Sequence, residues 1–133
     1  MRTWAVNVKG PLYCARAAIP HMLKAGEGAI INVASTAAFE GAGSSVIYCS
    51  SKAALVTTTK SRARAFAKNN VRVNAIAPGF VDWPGDVMKK NARVSPTGRI
   101  PTVDDIANAA LCLASDATGI TAHTIFVVAL AKM

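Results

Sequence analysis

The sequence predicts an α/β fold: a partial doubly wound parallel sheet of about three strands flanked by helices, in one domain over residues 1–133. Two observations carry this prediction. Patterns of helical and strand-like spacing alternate along the chain in the order helix, strand, helix, strand, helix, strand, the signature of parallel strands joined by right-handed crossovers. The strand-like segments are also short, nearly continuous apolar runs, as expected of strands covered by helices on both faces.

Residues 2 to 25 read as a long helix, because Ala5, Val8, Leu12, Ala15, Ile19 and Leu23 recur at helical spacing and Gly26 and Gly28 stop it. Pro11 lies inside this pattern and brings no N–H to its turn, which frees a carbonyl about four residues earlier, at Asn7. The run Gly28-Ala29-Ile30-Ile31-Asn32-Val33-Ala34 predicts a strand buried on both faces. Residues 39 to 45, rich in glycine and serine, read as a loop, and helical spacing resumes from 47 to about 68. Val71-Arg72-Val73-Asn74-Ala75-Ile76-Ala77 forms the second strand, ended by Pro78-Gly79, and residues 80 to 101 form a long loop of the kind that usually serves function. Thr102 then supplies a cap oxygen, and Asp105 a carboxylate three residues on, opening a helix to about 115; residues 124 to 128 make the third strand.

Composition narrows the function. The net charge of +8 invites a nucleic-acid reading, but the 15 Lys and Arg are scattered, with short clusters only at residues 60 to 64 and Lys89-Lys90. Solvated helix faces account for them better. Cys14, Cys49 and Cys112 are far apart and odd in number, which suits neither a disulfide framework nor a zinc site and predicts a reducing cytoplasm. Neither His21 nor His123 has a ligand at metal-binding spacing, so no metal is expected. No apolar run approaches the ~20 residues of a membrane span, and the first residues do not resemble a signal peptide. A soluble protein with no membrane or nucleic-acid partner is expected.

The chemistry concentrates on a few residues. Tyr48 and Lys52 are four apart on one helix and so share a face. An ammonium close to a phenol favours the phenolate and makes a usable acid/base near neutral pH. Ser35 stands thirteen residues before Tyr48, just past the carboxyl end of a parallel strand, the edge at which open α/β sheets bind ligands.

Four stretches, Asn7-Val8-Lys9-Gly10, Ile31-Asn32-Val33-Ala34-Ser35, Tyr48-Cys49-Ser50-Ser51-Lys52 and Arg72-Val73-Asn74-Ala75-Ile76-Ala77-Pro78-Gly79, resemble in order and spacing the motifs of the short-chain dehydrogenase/reductase family. Gly98-Arg99 and the segment from Ala107 to Thr121 resemble its later blocks, so the likeness runs from about Arg2 to Val128. The resemblance implies a Rossmann-like fold and an oxidoreductase that interconverts a small-molecule carbonyl and alcohol with NAD or NADP. It implies Asn7, Ser35, Tyr48 and Lys52 as the catalytic set. Tyr48 would exchange a proton with the substrate oxygen, Ser35 would hydrogen-bond that oxygen, and Lys52 would assist Tyr48 and bind the nicotinamide ribose. The Asn7 carbonyl would hold a relay water. Tyr48, Lys52, Pro78, Gly79 and Val81 would border the cofactor.

The family also begins with a strand and a glycine-rich turn for the cofactor pyrophosphate, and neither has a counterpart here. The resemblance therefore implies a truncated domain, the catalytic C-terminal half, with weakened cofactor binding when alone. The alternative is a catalytically silent fragment or pseudoenzyme that acts only through association, as a homo-oligomer paired through its two long helices as the family pairs. Smaller departures point the same way: Trp83 replaces a threonine, Arg62 and Ala65 replace a leucine and a glutamate, and Ala129-Leu130-Ala131 replaces Asp-Gly-Gly. Arg62 lies in line with Leu55 and Phe66, where an unpaired guanidinium would be costly to bury unless it snorkels to solvent. Trp83, Pro84, Val87 and Met88 suggest an apolar lining for the substrate pocket.

Overall fold

The computed structural model of the chain describes residues 2–82, 96–115 and 119–129. The loop residues Trp83, Pro84, Val87 and Met88, the Lys89-Lys90 cluster, and Leu130 and Ala131 lie outside them. Three parallel strands, β1 (Gly28–Val33), β2 (Val71–Pro78) and β3 (Thr124–Val127), form one sheet in the order β1-β2-β3. Gly28 pairs with Val71 and Val33 with Ile76 at the two ends of the first register, and Ala75 with Thr124 and Pro78 with Val127 at the ends of the second.

Alternation along β2 divides the molecule into layers. Val71, Val73 and Ala75 face the long helix α4 (Val46–Phe66), Ala75 packing with Val56 and Val71 and Val73 packing with Ala63, and Met22 of helix α2 (Gly10–Ala25) packs against the latter cluster. From the intervening positions, Arg72 reaches helix α5 (Val103–Ala114), donating from Nη1 to the Leu113 carbonyl at 2.8 Å and from Nη2 to that of Ser115 at 3.0 Å. A guanidinium there satisfies carbonyls at the helix end, where the macrodipole favours a cation. The sheet is thus covered on both sides, as a doubly wound arrangement requires.

The expectation that β1 is buried on both faces needs correction. Only Asn32 of that strand is buried, and Val33 is 52% exposed, whereas Val73, Ala75, Ile76 and Ala77 of β2 are wholly buried. An apolar run reports burial potential, but β1 is an edge strand with one neighbour among the described residues, and β2 alone has strands on both sides.

Three element boundaries also differ from the sequence reading. The first helix is not uniform: a turn of α-helix, α1 (Arg2–Trp4), widens to a π-helix over Ala5–Lys9 before α2 begins. The Gly10 N–H donates to the Ala5 carbonyl, five residues back, so the helix meets Pro11 with a wide turn where a tight one would clash. Phe39 and Glu40, read as loop, end a short helix α3 (Ala37–Glu40), which Gly41 closes at φ 63°. The second long helix ends at Phe66 and passes through a 3-10 turn, Ala67–Asn69, into Asn70 at φ 57°.

Hydrogen bonds hold the remaining joints. Thr102 and Asp105 form the reciprocal capping box that the sequence suggests, and Arg99 grips the Asp105 carboxylate at 2.6 Å. The Arg99 bond and the Thr102 N–H together hold the Asp105 carboxyl low, at about 2. Asn74, almost fully buried, donates to the Ile120 carbonyl at 2.8 Å and accepts from the His123 N–H at 3.1 Å, fastening the approach to β3 onto β2. The three cysteines are free thiols, and no described helix is long and apolar enough to cross a membrane.

Candidate active site

The site residues gather at the carboxyl end of the sheet. Beyond β1 the pairing to β2 continues for two more bonds, the Ala34 N–H donating to the Ile76 carbonyl at 2.7 Å and the Thr36 N–H to that of Pro78 at 3.0 Å. Ser35 is held between these two anchors. Its Oγ accepts from the Ala37 N–H at 3.3 Å, and among the described residues no bond uses its hydroxyl hydrogen, which stays available to an acceptor in the pocket.

Tyr48 is placed by a residue that the sequence reading passed over. Ser45 is the N-cap of α4, its side chain accepting from the Tyr48 N–H at 3.2 Å. The signal was present, a serine three residues before the tyrosine at a helix start. One turn on, the Lys52 Nζ lies 5.7 Å from the centre of the Tyr48 ring and donates to the Val33 carbonyl at 2.7 Å. That bond ties α4 to the end of β1. Burial pushes the Lys52 ammonium below its ordinary pKa.

Asn7 comes to the site indirectly. Its Nδ2 donates to the Ser51 Oγ at 3.1 Å, and the Ser51 hydroxyl donates to the Tyr48 carbonyl at 2.8 Å. The π-helix is thereby linked to the turn of α4 that carries Tyr48 and Lys52. Ser51 is fully buried, and its role as a link between Asn7 and Tyr48 is not marked by any local sequence pattern.

A pocket of about 230 Å³ opens beside these groups, and its lining includes Ser35, Tyr48, Gly79, Glu40, Ser44 and Phe80. Of the seven expected site residues it takes in Ser35, Tyr48 and Gly79, while Lys52, Asn7, Pro78 and Val81 are not part of its lining. Pro78 ends β2, a place where its missing N–H costs no ladder bond. Gly79 donates to the Val127 carbonyl at 3.1 Å, and a Cβ there would sit 3.2 Å from the Val128 side chain, so the tight approach of two chains favours glycine. Val81 is half-buried, next to Asp82, whose N–H donates to the Pro101 carbonyl.

Arg62, its guanidinium expected to be costly to bury unpaired or else to snorkel to solvent, is partnered by two carbonyls. It donates to the Leu12 carbonyl at 2.9 Å and the Pro11 carbonyl at 3.4 Å, joining α4 to the start of α2. Partial burial pushes its pKa down, and the two carbonyls offset part of the desolvation. No group of His, Cys, Asp and Glu among the described residues could hold a metal ion.

Residues 1–129 match a family model described as enoyl-(acyl carrier protein) reductase. The chain is 39% identical to galactitol 2-dehydrogenase of Agrobacterium fabrum over 92% of its own length and 56% of that protein's. It is 35% identical to cis-4-hydroxycyclohexanecarboxylate dehydrogenase of Sinomonas cyclohexanicum, over 96% of its own length and 53% of that protein's. Among solved structures, a gluconate 5-dehydrogenase from Burkholderia cenocepacia in complex with NADP and tartrate superposes with a TM-score of 0.85 at 28% identity, over 95% of this chain and 53% of that one. The chain belongs to the short-chain dehydrogenase/reductase family. It spans about half the length of the relatives that it matches.

Proposed function

We propose that this chain is the catalytic part of an NAD(P)-dependent oxidoreductase that interconverts a small alcohol and its carbonyl compound. The observation that carries the reading is the meeting of Ser35 and Tyr48 in one pocket at the carboxyl edge of the sheet, with the Lys52 ammonium 5.7 Å from the phenol ring. The family's dehydrogenases and the NADP-bound neighbour agree with it.

The residues present fit the nicotinamide end of such a cofactor. Gly79 brings backbone without a side chain to the lining of the pocket, and the Lys52 ammonium has donors left for a ribose beside its bond to Val33. The cofactor supplies the hydride, and the chain orients the substrate and manages the proton. In the reducing direction the Tyr48 O–H donates to the substrate oxygen as negative charge develops there, while the Ser35 O–H donates to the same oxygen and fixes its position. The Lys52 ammonium favours the phenolate that Tyr48 leaves behind. Asn7, opposite the N–H that Pro11 lacks, has a main-chain carbonyl suited to holding a water, through which Lys52 and Tyr48 regain the proton.

Titration with NADH and NADPH, followed by nicotinamide fluorescence with Lys52→Ala as control, tests the reading. Saturable binding that weakens in the variant is expected, together with a loss of turnover on the order of 10²–10⁴-fold in Tyr48→Phe. No binding at millimolar cofactor, or full turnover in Tyr48→Phe, would overturn it.

A second reading has its own support: a silent domain that works through association. Among the described residues β1 is an edge strand with one unpaired side, beside the exposed Val33, and Val6, Tyr13 and Val46 on the helices are also exposed. A homo-oligomer formed through the two long helices, α2 and α4, is compatible with either reading.

A further inference from the structure

We propose that Glu40 makes the pocket charge-selective, admitting neutral or cationic alcohols and rejecting those that carry a carboxylate next to the reacting carbon. The proposal rests on the reading of this pocket as a substrate site. Glu40 is the last residue of α3, closed by Gly41 at φ 63°, and this exposed residue is one of those lining the pocket with Ser35 and Tyr48.

Three features give the carboxylate its weight. It is the only charged side chain among the described residues of the lining; the other polar side chains there are hydroxyls, such as those of Ser35 and Ser44. It has no ion-pair or hydrogen-bond partner for its side chain among the described residues, so its charge is not spent on another group. The Lys52 Nζ is not part of the lining: it donates to the Val33 carbonyl at 2.7 Å and lies 5.7 Å from the centre of the Tyr48 ring. In a cavity of about 230 Å³, a small alcohol held on Ser35 and Tyr48 keeps its other substituents within a few ångströms of the walls. A carboxylate among those substituents meets a like charge with partial screening, whereas an ammonium or hydroxyl gains a strong acceptor.

Three alcohols of one skeleton separate charge from shape: 1-amino-2-propanol, 1,2-propanediol and lactate carry a cation, a neutral hydroxymethyl group and an anion on the same secondary carbinol. The full chain, isotopically labelled, is titrated with each at low salt, following the amide signals of Ser35, Tyr48 and Gly79. The expected apparent affinity falls from cation to neutral to anion, with about a three- to tenfold gap between the ends that shrinks as salt screens it. In Glu40→Gln, a change at an exposed position whose fold the same spectra check, the gap closes. Equal binding of the three, an unchanged gap in Glu40→Gln, or no shift of these signals with any of them overturns the proposal. Charge-ordered binding without NADH or NADPH binding would retain the selectivity and sink the oxidoreductase reading instead.

Discussion

Tyr48 and Lys52 show how far a residue pair can be read without coordinates. Four-residue spacing puts both on one helical face, and the Lys52 ammonium does lie against the Tyr48 ring. What spacing leaves out is the third partner, the Val33 carbonyl, which fixes the lysine at the strand end and comes from a residue nineteen positions away. Glu40 and Ser45 were passed over for different reasons. Ser45 carried a local capping signal inside a glycine- and serine-rich stretch that masked it, whereas nothing local marks Glu40 as lining a pocket. Ala122 is a residue-scale oddity of another kind: it holds φ 61°, where its Cβ crowds the following carbonyl oxygen. Ala122→Gly is expected to change stability by less than about 1 kcal/mol, because relief of left-handed strain is offset by the lost packing of the methyl on the Ala63, Val71 and Val73 cluster and by the extra entropy of an unfolded glycine. A thermal melt checks this, and a midpoint lowered by more than that would show that the packing outweighs the strain.

Elements were legible in type and order, less so in their ends. The helices and strands follow from hydrophobic spacing, and the capping box at Thr102 and Asp105 marks the start of α5 without ambiguity. The widening at Ala5–Lys9 was less readable, because Pro11 announces a disturbance but not how the helix absorbs it. Arg62 shows the same limit between elements. Its position on an apolar face signalled a cost, yet two carbonyls of a helix fifty residues earlier receive it. Arg62→Ala is expected to cost about 1–2 kcal/mol in denaturant unfolding, from lost charge-assisted bonds and lost packing of the side-chain stem. Arg62→Lys should recover less than half, since an ammonium cannot span both carbonyls with a planar fork. Full recovery with lysine would mean that charge alone, and not the forked geometry, matters at this joint.

At the scale of the whole molecule the decisive fact is the position of β1 at the edge of the sheet. Its apolar run signals a strand made to be covered, and the relatives are about twice as long as this chain. With Val33 half exposed and one side of the strand unpaired among the described residues, association is the expected response. Sedimentation velocity should show a dimer or larger species at micromolar concentration, and charged substitutions at Val6 and Tyr13 on the first helical rod should shift it towards monomer. A single monomeric boundary across that range would remove the case for association through the helices.

By itself the sequence determined the alternation of helices and strands and the parallel sense of the sheet, and it named the residues proposed for the chemistry, because hydrophobic period, caps and motif spacing are local properties written in neighbouring positions. Only the tertiary structure decided which strand is central and which is an edge, that Arg62 has partners, that Asn7 reaches Tyr48 through Ser51, and that Glu40 shares a pocket with Ser35 and Tyr48. Each of these depends on segments far apart in the chain arriving at the same place, and burial and hydrogen bonding across such distances are set by how the layers pack, which no local pattern records.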